Sequence, residues 1–402
     1  MSHDNEKLVP FDRGRRPPDP ARVAEFAATA RRLQQEREGA AGVVTRLLKE
    51  TPYAQWPKLA EREELRNSGA LDELSREVVS RVHRVPLESL AIATLATMIA
   101  DALPQTFYPI VVLAQIRAQA WKDRGLALCY LARYADALAA LDRAEEVLRP
   151  FGTLAHDRAI VHYARAITLQ EANRFDESIS VLSACKQVFE DHGDTRRQLL
   201  CGIAEAELLH RMGSYGEALN LYVGLLQQAR ELNDRGLLAS IHNNMGYTSI
   251  ELADYATAKI HLDHAIEILT ALGQPLHVAR AQLARGRMLV RKGEVEAGIA
   301  QLHSVRELFL KQNLVEEAGL CGLDIVEAYI ARDASSIEAE AFARQIVREF
   351  TAAQLNTRAI TALGYLSEAI AARKASAATV ANVRRFIRTL RRQPDVEFVA
   401  TA

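Results

Sequence analysis

The chain has 402 residues, 49% hydrophobic and 6% aromatic, with 50 basic side chains against 51 acidic ones. That apolar share excludes a disordered polymer, and the length exceeds one compact core. The near-zero net charge gives no bulk attraction to nucleic acid or to an anionic membrane surface.

In chain order, residues 1–18 are polar and Pro-broken, which predicts a disordered tail and no signal peptide. A helical leader is expected over 19–68: a helix at 20–38, then "TPYAQWPKLAEREEL", with Trp56 and Leu59 docked on the first helix pair. Residues 69–112 read as a degenerate first repeat, a helix at 69–84 followed by one at 87–103 that Pro86 opens. The most apolar run, "LAIATLATMIADAL", has 14 residues and an Asp, too short to span a bilayer. Cys129, Cys185, Cys201 and Cys321 form no CxxC pair and read as buried thiols in a reducing cytoplasm.

Over 113–313 the chain repeats itself five times. Tyr134, Phe175, Tyr215, Tyr255 and Val295 open the second helix of each unit, at steps of 41, 40, 40 and 40. Three residues later stand Ala137, Ser178, Ala218, Ala258 and Gly298, and nine residues earlier Gly125, Ala166, Ala206, Gly246 and Gly286. Small residues there let two backbones approach, with the anchor ring expected to fill a buried site beside them, so that Tyr255→Ala would cost about 3–5 kcal/mol. Gly152, Gly193, Asn233, Gly273 and Asn313 mark the turns between units, where a left-handed residue ends a helix. One helix pair cannot bury its apolar face alone, but a stack of pairs can. In the fourth unit the helices are expected at 236–252 and 255–271. The remainder, 314–402, reads as degenerate pairs at 314–352 and 357–392. Its last helix carries Val380, Val383, Ile387 and Leu390 on one stripe, with Arg384, Arg385, Arg388, Arg391 and Arg392 around it. It reads as a solubilising cap, with a basic patch for an acidic partner or nucleic acid as the alternative.

The small–x8–aromatic–x2–small pattern of "MGYTSIELADYATA" and "RMGSYGEALNLY" resembles the tetratricopeptide repeat (TPR). The period is 40 rather than 34 and the early Trp is missing. This resembles the long-repeat subgroup of kinesin light chains, polarity adaptors of the LGN type, and bacterial peptide-sensing regulators of the Rap and PlcR kind. The resemblance implies an all-α, right-handed solenoid of antiparallel helix pairs whose first helices line a concave groove.

No HExxH, GxxxxGK[ST], GxSxG or GxGxxG motif occurs, so no enzyme and no cofactor is expected. His261 and His264 stand three apart on a helix; an exposed face is the simpler reading, a metal pair the alternative. In the family's pattern, inward positions lie six and three before the small residue of the first helix, with neighbours one and four or five after. Mapped here they give Lys122; Tyr163, Gln170 and Glu171; His210 and Arg211; Asn243, Asn244, Tyr247 and Glu251; and Arg280, Arg287 and Arg291. By resemblance, the carboxamide of Asn243 or Asn244 grips a peptide main chain and the arginine trio takes a carboxylate. Packing between units is the alternative role for these side chains. The expected partner is a protein or peptide segment in the groove of a cytoplasmic interaction module. A peptide- or partner-controlled regulator of transcription, a kinase or a protease, acting in trans, is the alternative.

Overall fold

The computed structural model describes residues 20–82, 85–312, 314–333, 337–390 and 396–400. The expected tail 1–18 and the residues Asn313, Arg391 and Arg392 lie outside the described residues. Helices and tight turns account for the fold, and no strand occurs among the described residues.

The leader is one helix, α1 (Pro20–Glu50), which runs through Gly39 and Gly42 well past the expected end. Ala40, Val44, Leu47 and Leu48 are buried along its second half, and that burial outweighs the glycine penalty of about 1 kcal/mol each. Two 3₁₀ segments follow, Tyr53–Glu61 and Glu63–Leu65. Trp56 and Leu59 pack with Leu74, Val78 and Ile92 of the next pair, α2 (Ser68–Arg81) and α3 (Pro86–Ala102).

The five units are α4 (Ile110–Tyr130) with α5 (Tyr134–Leu148), α6 (Ala155–Glu171) with α7 (Phe175–Asp191), and α8 (Thr195–Arg211) with α9 (Tyr215–Glu231). After these come α10 (Arg235–Glu251) with α11 (Tyr255–Ala271), and α12 (Pro275–Lys292) with α13 (Val295–Lys311). Every anchor residue is the first residue of its second helix. Asp194, Asp234 and Asp254 cap three of the helices, each accepting the N–H three residues on. Two pairs complete the chain, α14 (Val315–Arg332) with α15 (Ile337–Ala352), and α16 (Thr357–Ala371) with α17 (Ala377–Leu390).

The anchors are not the buried rings expected of them. Tyr134, Phe175, Tyr215, Tyr255 and Val295 are only half-buried, and the Tyr255 hydroxyl donates to the Arg291 carbonyl at 3.4 Å. The seam of each unit is filled seven residues later instead, by Leu141, Leu182, Tyr222, Leu262 and Leu302, each at most 1% exposed. A Cβ on Gly125, Gly246 or Gly286 would lie 2.9, 2.7 or 2.9 Å from the Leu141, Leu262 or Leu302 side chain. The small residues therefore make room for a leucine rather than for the anchor ring.

The left-handed turn holds at Gly193, Asn233 and Gly273 but not at Gly152, which opens a short 3₁₀ turn. A second left-handed series falls inside the units, between first and second helix: Ala132, Asn173, Gly213, Ala253 and Gly293. The two alanines hold this conformation against Cβ strain of about 1–2 kcal/mol each.

First helices of successive units touch one another (α4 with α6, α6 with α8, α8 with α10, α10 with α12, α12 with α14), whereas second helices meet chiefly the first helices beside them. The first helices form the inner ring of the curve. The molecule is an α-solenoid of antiparallel helix pairs.

Candidate inner-face binding site

Equivalent positions on the first helices run along the inner ring as rows. One row is Lys122, Tyr163, Ile203, Asn243 and Leu283; a turn later comes Leu126, Ile167, Glu207, Tyr247 and Arg287; a turn earlier, Gln119, Ile160, Leu200, Ser240 and Arg280. In the first three units the rows are mostly apolar and half-buried, at Leu126, Ile160, Tyr163, Ile167 and Leu200. In the fourth and fifth they turn polar and cationic.

Most of the polar side chains expected to face a ligand are already engaged. Gln170 is 1% exposed and lies inside the array, with its Oε1 unpartnered among the described residues; it is not an inner-surface residue. Glu171 binds Arg211, which also binds Glu207, and Arg291 binds Glu251 at 2.8 Å. Glu171, Arg211, Glu251 and Arg291 occupy the same place in successive units and form a column of alternating charge. His210 Nδ1 lies 3.1 Å from Thr248 Oγ1, and its ring packs edge-on against Tyr215. Lys122 Nζ stands 3.8 Å from Asp123, a buried carboxylate whose pKa burial raises although Lys122 opposes it.

The Asn pair divides its work. Asn244 hydrogen-bonds the hydroxyl of Tyr222, the one polar side chain among the five seam fillers. A buried hydroxyl needs a partner, and Asn244 supplies it from the next unit. Asn243 donates to Asn244 Oδ1 at 3.4 Å and is half-buried. Of the pair, Asn243 is the one that packing leaves over.

The arginine trio does not act as one group. Arg287 binds Asp324 of α14 at 2.7 Å; burial opposes the guanidinium's charge, and Asp324 outweighs it, so its pKa is raised. Arg291 is held by Glu251. Arg280 is half-buried and makes no ion pair among the described residues. Its backbone carbonyl accepts from the Tyr247 hydroxyl at 3.3 Å, and its charge reaches Tyr130 of the first unit. Burial raises the pKa of Tyr130, Tyr163 and Tyr247, so all three stay neutral.

Two features escaped the sequence reading. Arg384 of α17 reaches back to Asp324 at 3.0 Å and to Glu327 at 2.6 Å, so one carboxylate serves arginines from two helices. The cap therefore leans into the end of the inner face, beside a cavity of about 370 Å³ between α12, α14 and α17. An Asp inside the apolar stretch "CGLDIVEAYI" was the available signal. The second feature is a trio of imidazoles. His242 is 6% exposed, its Nδ1 lies 2.9 Å from His261 Nδ1, and its ring centroid lies 5.0 Å from that of His264. His261 is half-buried and only His264 is exposed, so the pair does not form a plain solvent face. Burial, His261 and His264 push the His242 pKa down to about 4. No group of three His, Cys, Asp or Glu among the described residues is placed to hold a metal ion. No helix among them is long and apolar enough to cross a membrane. Burial pushes the thiols of Cys185, Cys201 and Cys321 up to about 12, which makes them inert.

No protein-family model matches the chain, and no curated protein matches it. Solved structures do. A STAND-type signal-transduction ATPase with a tetratricopeptide repeat sensor from Pyrococcus horikoshii is similar over 90% of this chain, at 14% identity and a TM-score of 0.54. The chain spans only 53% of that protein's length. The Rap conjugation gene regulator of plasmid pLS20, solved with the Phr* peptide, is similar over 88% of this chain and 96% of its own, at 13% identity and a TM-score of 0.54. NprR, solved with its cognate peptide NprX, is similar over 91% of this chain and 99% of its own, at 14% identity and a TM-score of 0.51. The forty-residue period, the seams and these likenesses together give this chain the fold of the tetratricopeptide-type helical-repeat solenoids.

Proposed function

We propose that the chain is a non-catalytic interaction module that holds a peptide or an extended protein segment along its inner face. The observation that carries this reading is Arg280. It stands on the inner ring with no ion pair among the described residues, where Arg211, Arg287 and Arg291 are each paired with a carboxylate of a neighbouring unit. A half-buried cation with no carboxylate beside it among the described residues is costly in a structural role and useful in a binding one. The apolar rows of the first three units supply side-chain contact, Asn243 supplies a donor and acceptor for main chain, and Arg280 takes a carboxylate. Two of the proteins similar in fold were solved with peptides, which supports a peptide as the ligand class. The inert thiols suit a reducing cytoplasm.

A second reading, a peptide-controlled regulator acting in trans, is favoured by α17. Its ion pairs to α14 join the end of the inner face to the cap, so a ligand there would bias the cap's position.

The test is selection from a display library of random linear peptides, followed by fluorescence anisotropy. Enriched peptides should bind wild type and lose about tenfold or more in affinity toward Arg280→Glu. They should lose less toward Asn243→Ala, with helicity unchanged in both. Failure to enrich any peptide over an unrelated helical protein would sink the reading. So would equal binding to wild type and Arg280→Glu.

A further inference from the structure

We infer that the α16–α17 pair carries a separate recognition slot for an extended segment of a partner protein, one that presents an aliphatic and an aromatic side chain two residues apart, and that residues 396–400 of this chain occupy the slot as an internal competitor. Nothing in this depends on the inner face. The segment reads VEFVA. Val396 and Phe398 are half-buried and pack against the apolar core of the last two pairs, while Glu397 and Val399 are exposed. That in-and-out alternation is the period of an extended chain, not of a helix. Phe398 lies between the two helices: its ring centroid stands 5.3 Å from that of Tyr365 on α16 and 5.0 Å from that of Phe386 on α17. The contact with Phe386 is edge-to-face, which the ring quadrupoles favour. Asn382 of α17 donates its side-chain amide to the Val399 carbonyl at 3.1 Å. The slot thus reads one main-chain carbonyl and two apolar side chains, and leaves the residue between them to solvent.

The helix that bears the slot is anchored on its other side. Arg384 stands two residues from both Asn382 and Phe386, across a turn of 3.6 residues, and binds Asp324 and Glu327 of α14. The segment can therefore leave without taking α17 with it. A segment carried on the same chain competes at an effective concentration on the order of millimolar. The contact is thus autoinhibitory: a passing aromatic segment is turned away, and only one that fits better than 396–400 enters. The same argument names the source of that ligand. A second copy of this chain brings the identical segment, with no better contacts and a cost in lost freedom that the segment already seated does not bear. A different protein, with its own aliphatic and aromatic pair on an extended stretch, is the occupant that gains.

The probe is a labelled peptide of residues 394–402, PDVEFVATA, titrated by fluorescence anisotropy into the full-length chain. Phe398→Ser, which vacates the slot, should bind it; wild type should bind about tenfold more weakly or worse, and Phe398→Leu should fall between. Val396→Ser, at the other anchor, is a second acceptor with the same expected order should Phe398→Ser lose helicity. The peptide with Ser in place of Phe should not bind. Adding Asn382→Ala to the Phe398→Ser chain should weaken binding about threefold or more, and adding Arg280→Glu should leave it unchanged. A random-peptide selection on the Phe398→Ser chain should enrich an aliphatic–x–aromatic pattern that wild type as bait does not. No binding by either acceptor at wild-type helicity, or equal binding by wild type and Phe398→Ser, overturns the slot and leaves 396–400 as ordinary packing. Enriched peptides without the pattern overturn the ligand chemistry. A concentration-dependent dimer of wild type in sedimentation, lost in Phe398→Ser, overturns the foreign partner in favour of exchange between copies.

Discussion

The regular array from α4 to α13 and the end built from α14 and α17 use the same side chains to opposite ends. In the array, charges meet partners one period away: Glu171 with Arg211, Glu251 with Arg291, Arg196 with Asp234. Each pair is local to two neighbouring units and close to neutral. At the end, arginines from α12 and α17 converge on the single carboxylate of Asp324, and Glu327 holds the second of them as well. Repetition pairs charges at a spacing of one period, and where repetition stops two arginines from different helices share one carboxylate. Sites of recognition in such a molecule are therefore sought where one unit fails to match the next: Arg280, Asn243 and the cap.

That contrast can be broken by substitution. The largest effect is expected in a seam. Leu262→Ala should cost about 3–4 kcal/mol in urea unfolding, because Gly246 opposite cannot fill the void, whereas Tyr255→Ala on its half-buried ring should cost about 1–2 kcal/mol. Equal costs would return the anchor ring to the core.

Next comes pH. The His242 imidazole, facing His261, His264 and Arg230, has its pKa lowered from 6.5 to about 4 in the fold. The unfolded chain then binds the proton more readily, so stability is full above pH 6.5 and falls as pH drops toward 4, by about 3 kcal/mol over the window. His242→Gln should flatten that slope in thermal melts between pH 7 and 4.5; an unchanged slope would place the titration elsewhere.

Third, Asn244→Ala should cost about 1–2 kcal/mol by stranding the Tyr222 hydroxyl, and Tyr222→Phe in the same chain should restore most of it. Asn243→Ala should move stability by less than about 0.5 kcal/mol. The reverse ranking would exchange the roles of the two residues. The smallest effect is a gain. Ala253→Gly relieves a left-handed alanine and should stabilise by about 0.5–1 kcal/mol, whereas Gly273→Ala in the turn between units should destabilise.

These residues also show what could be read from the chain alone. The period and the helix starts were legible because Gly, Asn and aromatic residues stand out against a background of Ala, Leu, Glu and Arg. The true seam fillers were not, because four of the five are leucines in a leucine-rich chain, and only Tyr222 differs. Ala132 and Ala253 gave no sign of a left-handed turn, since alanine is the residue least expected there. Gln170 sat at an inward position of the pattern but is turned into the array. The contact of Arg384 with Asp324 joins residues 60 positions apart across the break in the repeat, where no periodic argument reaches. The Asn pair was recognisable as unusual; dividing it into a packing residue and a surface residue required Tyr222 in view.

The column Glu171, Arg211, Glu251, Arg291 has a consequence for assembly. Near-identical units invite a stacking error in which one unit is skipped and the next but one docks in its place. In the correct order each unit meets opposite charge at this position. With one unit skipped, Glu171 would face Glu251, or Arg211 would face Arg291, at the edge of the same interface. Alternation of sign thus acts as a parity check on the growing stack, opposing a single-unit miscount while adding little to the stability of the finished molecule.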